Sequence, residues 1–195
     1  MPEGGEKRTG AMRIFELVPP ERIGVLIGPG GSTKERIEVS TGTIIAVDSS
    51  TGTVTIEPAS ESVASYSLLK ARDIIRAIAL GFSPEQALRL LEDDQVLEVI
   101  DLGSIIEGEN HLKRIKGRII GEDGRTRKII EETTGTNVII GDKAVGIIGD
   151  FEQVKVASEA IRMLIEGKPH AVVYSFLERE ARRMKRKKMT DLWKS

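Results

Sequence analysis

Apolar and polar positions alternate from the start of the folded part of the chain. Arg13 to Val18 reads as a strand around Ile14, Glu16 and Val18, ended by Pro19-Pro20. Pro20 is suited to open a short helix running to about Ile27. After a glycine-rich loop, Ser32 to Ser40 predicts a second helix with Ser32 or Thr33 as cap, and Gly42 stops it. Thr43 to Asp48 is a β-branched strand, Ser49-Ser50-Thr51-Gly52 a turn, and Val54 to Glu57 a third strand. Val63, Leu68, Leu69, Ile74, Ile75 and Ile78 then mark a long helix from Ser60 to Leu80, stopped by Gly81. Ser83-Pro84-Glu85 caps a further short helix to about Leu91.

The pattern then starts again. A strand from Gln95 to Leu102 precedes helices over His111 to Ile120 and Arg125 to Thr133. Strands Asn137 to Ile140 and Ala144 to Ile148 flank a turn at Gly141-Asp142, and Asp150 caps a helix ending near Glu166. Gly167-Lys168-Pro169 interrupts the chain before a final helix from about His170 into a basic tail. The recurrence is also literal. Ile27-Gly28-Pro29-Gly30-Gly31 returns as Ile120-Gly121-Glu122-Asp123-Gly124, a shift of 93 residues. At the same shift Gly24 maps to Gly117, Ile37 to Ile130, and Thr41-Gly42-Thr43 to Thr134-Gly135-Thr136. A register held without a gap implies two domains of related fold.

A glycine loop between two helices has a physical use. Glycines let the chain turn sharply and bare the backbone N–H groups, while the following helix points its positive end at whatever lies over the loop. Such a joint can clamp the phosphates of a single strand whose bases lie in an adjacent apolar groove. Glycines chosen only for tight helix packing are the alternative, which the duplication weakens. The G-x-x-x-x-G-K-[ST] pattern is absent, and Gly28-Pro29-Gly30-Gly31 lacks the third glycine of a dinucleotide fingerprint. No cofactor is called for.

Charge sharpens this picture. The 195-residue chain carries a net charge of −1, so nucleic-acid binding requires local basic patches. Such patches exist. Between Ser83 and Asn110 the acids, from Glu85 to Glu109, face Arg89 alone. The stretch His111 to Glu131 is basic through Lys113, Arg114, Lys116, Arg118, Arg125, Arg127 and Lys128, and Arg182 to Lys188 is basic again. With no cysteine, disulfides and thiolate chemistry are excluded, and His111 and His170 form no metal-site pattern. Nothing resembles a signal peptide or a membrane span of about 20 apolar residues. Phe15, Phe82, Phe151 and Phe176 are scattered, which argues against an aromatic-stacking RNA sheet. No catalytic constellation is apparent, and the chain is expected to be a non-enzymatic, cytoplasmic protein.

The loops and element order resemble the type I KH domain, whose core is Ile-Gly-x-x-Gly followed by a basic amphipathic helix. The segment from His111 to Gly121, continued by Gly124-Arg125-Thr126-Arg127, is similar to the partner-of-Nob ribosome-assembly family, in its archaeal form. The resemblance runs from about Met12 to Lys188. It implies an α+β protein of two tandem type I KH domains, each a three-stranded antiparallel sheet packed on three helices, with a C-terminal basic helix. The implied division is a disordered segment 1–11, a first domain 12–82, an acidic helical linker 83–94, a second domain 95–167, and a basic helix and tail 168–195. The implied target is single-stranded RNA in the 3′ region of small-subunit (16S) rRNA. Implied protein partners are a maturation endonuclease, an rRNA dimethyladenosine methyltransferase and the α subunit of an initiation factor; no membrane is implied.

Candidate RNA-binding residues are Gly28, Pro29, Gly30, Gly31, Ser32 and Lys34 in the first copy. In the second they are Arg114, Lys116, Arg118, Gly121, Glu122, Asp123, Gly124, Arg125 and Lys128. Glu122 and Asp123 depart from the family pattern, because carboxylates over a phosphate clamp repel it. Two readings stay open: RNA binding with Arg118, Arg125 and Lys128 compensating, or a second domain that serves as a protein-docking scaffold.

Overall fold

A computed structural model of the chain describes residues 12–193; the segment 1–11, expected to be disordered, lies outside the described residues. Backbone contacts divide the chain into two compact units, one ending at Leu91 and the other starting at Glu92.

In the first unit, β1 (Ile14–Leu17), β2 (Thr43–Asp48) and β3 (Thr53–Pro58) form an antiparallel sheet in the order β1-β3-β2. Ile14, Ile56 and Ile45 share one row of the register, with Ile56 and Ile45 buried. Packed against them are α1 (Pro20–Ile27), α2 (Ser32–Thr41) and α3 (Ser65–Leu80). On α3 the buried positions Leu68, Ala71, Ile74, Ile75 and Ile78 follow the helical repeat and form one apolar face. That helix starts at Ser65 and not at the expected Ser60. Residues 59–63 form a turn in which Val63 N–H bonds Ser60 O, so only Val63 of the expected apolar set lies outside the helix. A short helix α4 (Pro84–Leu88) has the capping box of Ser83 and Gln86. It buries Ala87 and Leu88, and Lys70 Nζ donates to Leu91 O at 2.5 Å. The stretch 84–91 therefore belongs to the first unit's packing.

The second unit repeats the plan with β4 (Gln95–Asp101), β5 (Asn137–Ile140) and β6 (Ala144–Asp150) in the order β4-β6-β5. A one-turn helix α5 (Leu102–Ile105), capped by Asp101, follows β4 and was not foreseen. α6 (Glu109–Ile120), α7 (Arg125–Thr134) and α8 (Phe151–Ile165) cover the sheet. Ile100, Val145, Ile147, Ile119, Ile130, Ile161 and Leu164 make the centre of this core. A long helix α9 (His170–Leu192) buries Val173 and Leu177 against the same core, so its first turns are part of the second unit.

Candidate nucleic-acid interface

The two glycine loops adopt one backbone path. Gly28 has φ 73° and ψ 173°, and Gly121 has 76° and 172°. Gly30 (59°, 22°) is matched by Asp123 (51°, 30°), and Gly31 (84°, 5°) by Gly124 (75°, 10°). Asp123 is the sole non-glycine at positive φ among the described residues, a conformation that aspartate tolerates better than most side chains. The glycines differ in what they are for. A Cβ on Gly28 would sit 2.8 Å from Thr33 N, and one on Gly121 would sit 2.6 Å from Thr126 N, so both are required by close backbone approach. Gly31 and Gly124 have nothing within 4 Å of a built Cβ and face open space. The space over Gly31 and Gly124 is thus open.

Behind each loop the same hydrogen bonds fix the second helix to the edge strand. Thr41 Oγ1 donates to Ile37 O at 2.7 Å and meets Thr43 Oγ1 at 2.8 Å, while Glu38 accepts from Ile45 N at 2.7 Å. In the second unit Thr134 donates to Ile130 O at 2.7 Å and meets Thr136 at 2.8 Å, and Glu131 accepts from Val138 N at 2.8 Å. The repeated threonines are buried and satisfied, which explains their presence without any ligand.

The surroundings of the loops differ. In the first unit Pro29 offers no N–H, Gly30 and Ser32 are exposed, and Lys34 is engaged elsewhere. Lys34 Nζ donates to both Glu38 carboxylate oxygens at 2.9 Å and to Ile45 O at 3.3 Å. In the second unit the N–H groups of Gly121, Gly124 and Arg125 bond Gly117, Gly121 and Glu122 carbonyls; those of Glu122 and Asp123 are in none of these bonds. Both carboxylates are exposed at the loop tip, and so are Arg114, Arg125 and Lys128 around it. Lys128 has one exposed partner, Glu132, at 3.8 Å, an interaction water readily replaces. Lys116 reaches the β5–β6 turn, donating to Asp142 O at 3.2 Å.

Arg118 has a structural task that sequence spacing could not reveal. Its Nε donates to Leu164 O at 3.2 Å and its Nη2 to Lys168 O at 2.6 Å, capping the carbonyl end of α8 with a cation. His170 Nε2 meets Arg118 O at 3.0 Å and completes the tie to α9. In the first unit Arg22 does the same for α3, donating to Ile78 O at 2.8 Å and Phe82 O at 2.6 Å. Next to the loops in the chain, Ile27 is half-buried and Ile120 is 37% exposed at the end of α6; Val47 on β2 and Ile140 on β5 are half-buried.

The β2–β3 turn of the first unit carries one perturbed carboxyl. Hydrogen bonds from the Ser50 and Thr51 hydroxyls and from Ser50 N hold the Asp48 pKa down to about 2 from 3.8. A depressed carboxylate stabilises the fold above its unfolded pKa and loses that contribution as pH falls toward 2. Carboxyl carbon NMR is expected to show Asp48 titrating near 2, and Ser50→Ala is expected to move it toward 3.8. A midpoint near 3.8 in the parent protein would show that the turn hydrogen bonds do not form.

Two type I KH units in tandem define the class of this protein. A KH-domain model matches residues 13–69, and a model of the eukaryotic-type KH domain (KH-domain type I), the second of the PNO1 protein, matches 96–182. A KH domain-containing protein of Methanocaldococcus jannaschii is 45% identical over 177 residues, covering 91% of this chain and 77% of that one. The pre-rRNA-processing protein pno1 of Emericella nidulans is 39% identical over 122 residues, and the chain spans about half of its length (47%). The crystal structure of an a/eIF2alpha–aDim2p–rRNA complex from Pyrococcus horikoshii contains a similar fold, with TM-score 0.83, 45% identity, and coverage of 91% of this chain and 98% of that one. The chain belongs to the partner-of-Nob (Pno1/Dim2) family of KH-domain proteins, in its archaeal form. No helix among the described residues is long and apolar enough to cross a membrane, and no cluster of metal-ligating side chains occurs among them.

Proposed function

We propose that the chain binds single-stranded RNA through the second unit's glycine loop, and that its target is the 3′ region of small-subunit (16S) rRNA during subunit biogenesis. The observation that carries this reading is the half-buried loop backbone at Gly124 with open space over it, at the positive end of α7 and framed by the exposed Arg114, Arg125 and Lys128. The pre-rRNA-processing name of one relative and the rRNA in the complex of another support it. That complex also supports the α subunit of an initiation factor as a protein partner, and the family adds a maturation endonuclease and an rRNA dimethyladenosine methyltransferase. The protein acts as a non-enzymatic, cytoplasmic assembly factor in this reading. Gly28 to Ser32 form a second, neutral grip in the first unit.

The exposed pair Glu122 and Asp123 favours a second reading, a scaffold whose second unit makes little RNA contact. Glu122→Lys with Asp123→Gly separates the two. If the loop faces phosphate, replacing two carboxylates about 4 Å away by one ammonium is expected to raise affinity for a single-stranded rRNA oligonucleotide about thirtyfold or more, on the order of 2 kcal/mol. Unchanged affinity in a fluorescence-anisotropy titration supports the scaffold.

A further inference from the structure

The last third of α9 and the first turn of α8 enclose a cleft of about 630 Å³ in the second unit. Its floor is apolar: Phe151, Met184 and Met189 line it, and Phe151 is 67% exposed although it opens a helix in the folded core. Its rim is cationic through Lys185, Lys187 and Lys188. From Arg182 to Lys188 every residue but Met184 is basic, and Met184 is the one apolar member of the run that lines the cleft. The two acids at the cleft are already answered. Asp150 caps α8 by accepting from Glu152 N at 2.9 Å, and the Lys187 ammonium that bonds Glu152 holds its carboxyl below the usual range. No carboxylate among the described residues pairs with Lys185 or Lys188, and both are exposed.

We infer that this cleft is an auxiliary RNA site, in which Phe151 stacks on a base and Lys185 and Lys188 hold the flanking phosphates. An exposed aromatic beside unanswered cations is the combination that non-specific single-strand binding uses. A cleft of this volume lies in the range of about 300–1,000 Å³ that suits small-molecule-sized groups, such as one base with its ribose. Its position fits a strand that leaves the glycine loop. The loop precedes α7, and Thr133, Thr134 and Gly135 at the far end of α7 line the cleft. Ten helical residues place the two sites roughly 15 Å apart. The KH-type match ends at residue 182, so the basic run lies at its edge and beyond.

This inference rests on the proposed RNA binding, and oligonucleotide length separates the two. A tetranucleotide fills only a KH groove, which clamps about four nucleotides; a roughly 12-nucleotide strand centred on the same sequence extends well beyond that groove. With the full chain, Lys185→Gln combined with Lys188→Gln is expected to weaken the longer strand about tenfold near 0.1 M salt. It is also expected to flatten the slope of log affinity against log salt by about 1.4. Phe151→Ala is expected to cost about tenfold on the longer strand, with Phe151→Tyr restoring it. Tetranucleotide affinity is expected to stay at the parent value in all three variants. If every variant binds the longer strand as the parent does, the inference is overturned and the glycine-loop reading survives. If the parent chain binds neither strand, both fall.

Discussion

Gly121→Ala is expected to destabilise the second unit by about 3 kcal/mol or more, from two costs that add. The backbone at φ 76° and ψ 172° lies in a region open essentially to glycine alone, which costs a side chain about 1–3 kcal/mol. The new methyl would also sit 2.6 Å from Thr126 N, a backbone atom that cannot swing aside. Thr126 is itself buried, with its hydroxyl 2.9 Å from Tyr174 OH, so relief would disturb the α7–α9 contact. Overpacking of this kind typically adds about 1–3 kcal/mol. For a unit of this size each kcal/mol lowers the melting midpoint by roughly 4–8 °C, so a drop of more than about 10 °C is expected by calorimetry. Gly124→Ala is the internal control. Its φ of 75° carries the left-handed penalty of about 1–2 kcal/mol, but no atom lies within 4 Å of the added methyl. Equal melting of the two variants would contradict the assignment of Gly121 to close packing and Gly124 to open backbone.

The second large effect concerns RNA. Arg125→Glu with Lys128→Glu is expected to lower affinity for single-stranded rRNA about a hundredfold near 0.1 M salt, because two cations at the head of α7 become anions beside Glu122 and Asp123. Both side chains are exposed, and the Lys128–Glu132 pair at 3.8 Å is weak, so the melting midpoint is expected to move little. Anisotropy and calorimetry on the same preparation distinguish a lost interface from a lost fold. Parental affinity in the reversed variant would remove the second loop from the interface.

Much of this was legible in the sequence because the repeat is local. The 93-residue register put Gly28 over Gly121 and Thr41 over Thr134, and each pair performs one task in the structure. Strand, helix, helix, strand, strand, helix could be read from alternation and glycine stops, since those signals sit within a few residues of what they control. What was not legible depends on distant partners. Arg118 reads as one more base in a basic helix, yet its hydrogen bonds go to Leu164 and Lys168. Arg22, unremarkable in sequence, performs the same capping for α3 through Ile78 and Phe82. Lys34 lies one turn after the first glycine loop, but Glu38 four residues on draws it into an ion pair, and that pairing could have been read from the i,i+4 spacing. The α5 helix was missed because one turn presents no periodicity, and its signal is only the Asp101 cap. The cleft at Phe151 was invisible for a similar reason. It needs residues from α8 and from a helix end more than 30 residues away to come together.

The most direct test of the central claim is photo-crosslinking of the full chain to an oligonucleotide matching the 3′ end of small-subunit rRNA, with the adducts mapped by mass spectrometry. The dominant adducts are expected on peptides spanning Arg114 to Lys128. Adducts confined to residues ahead of Leu91, or equal labelling by a duplex of the same sequence, would contradict it.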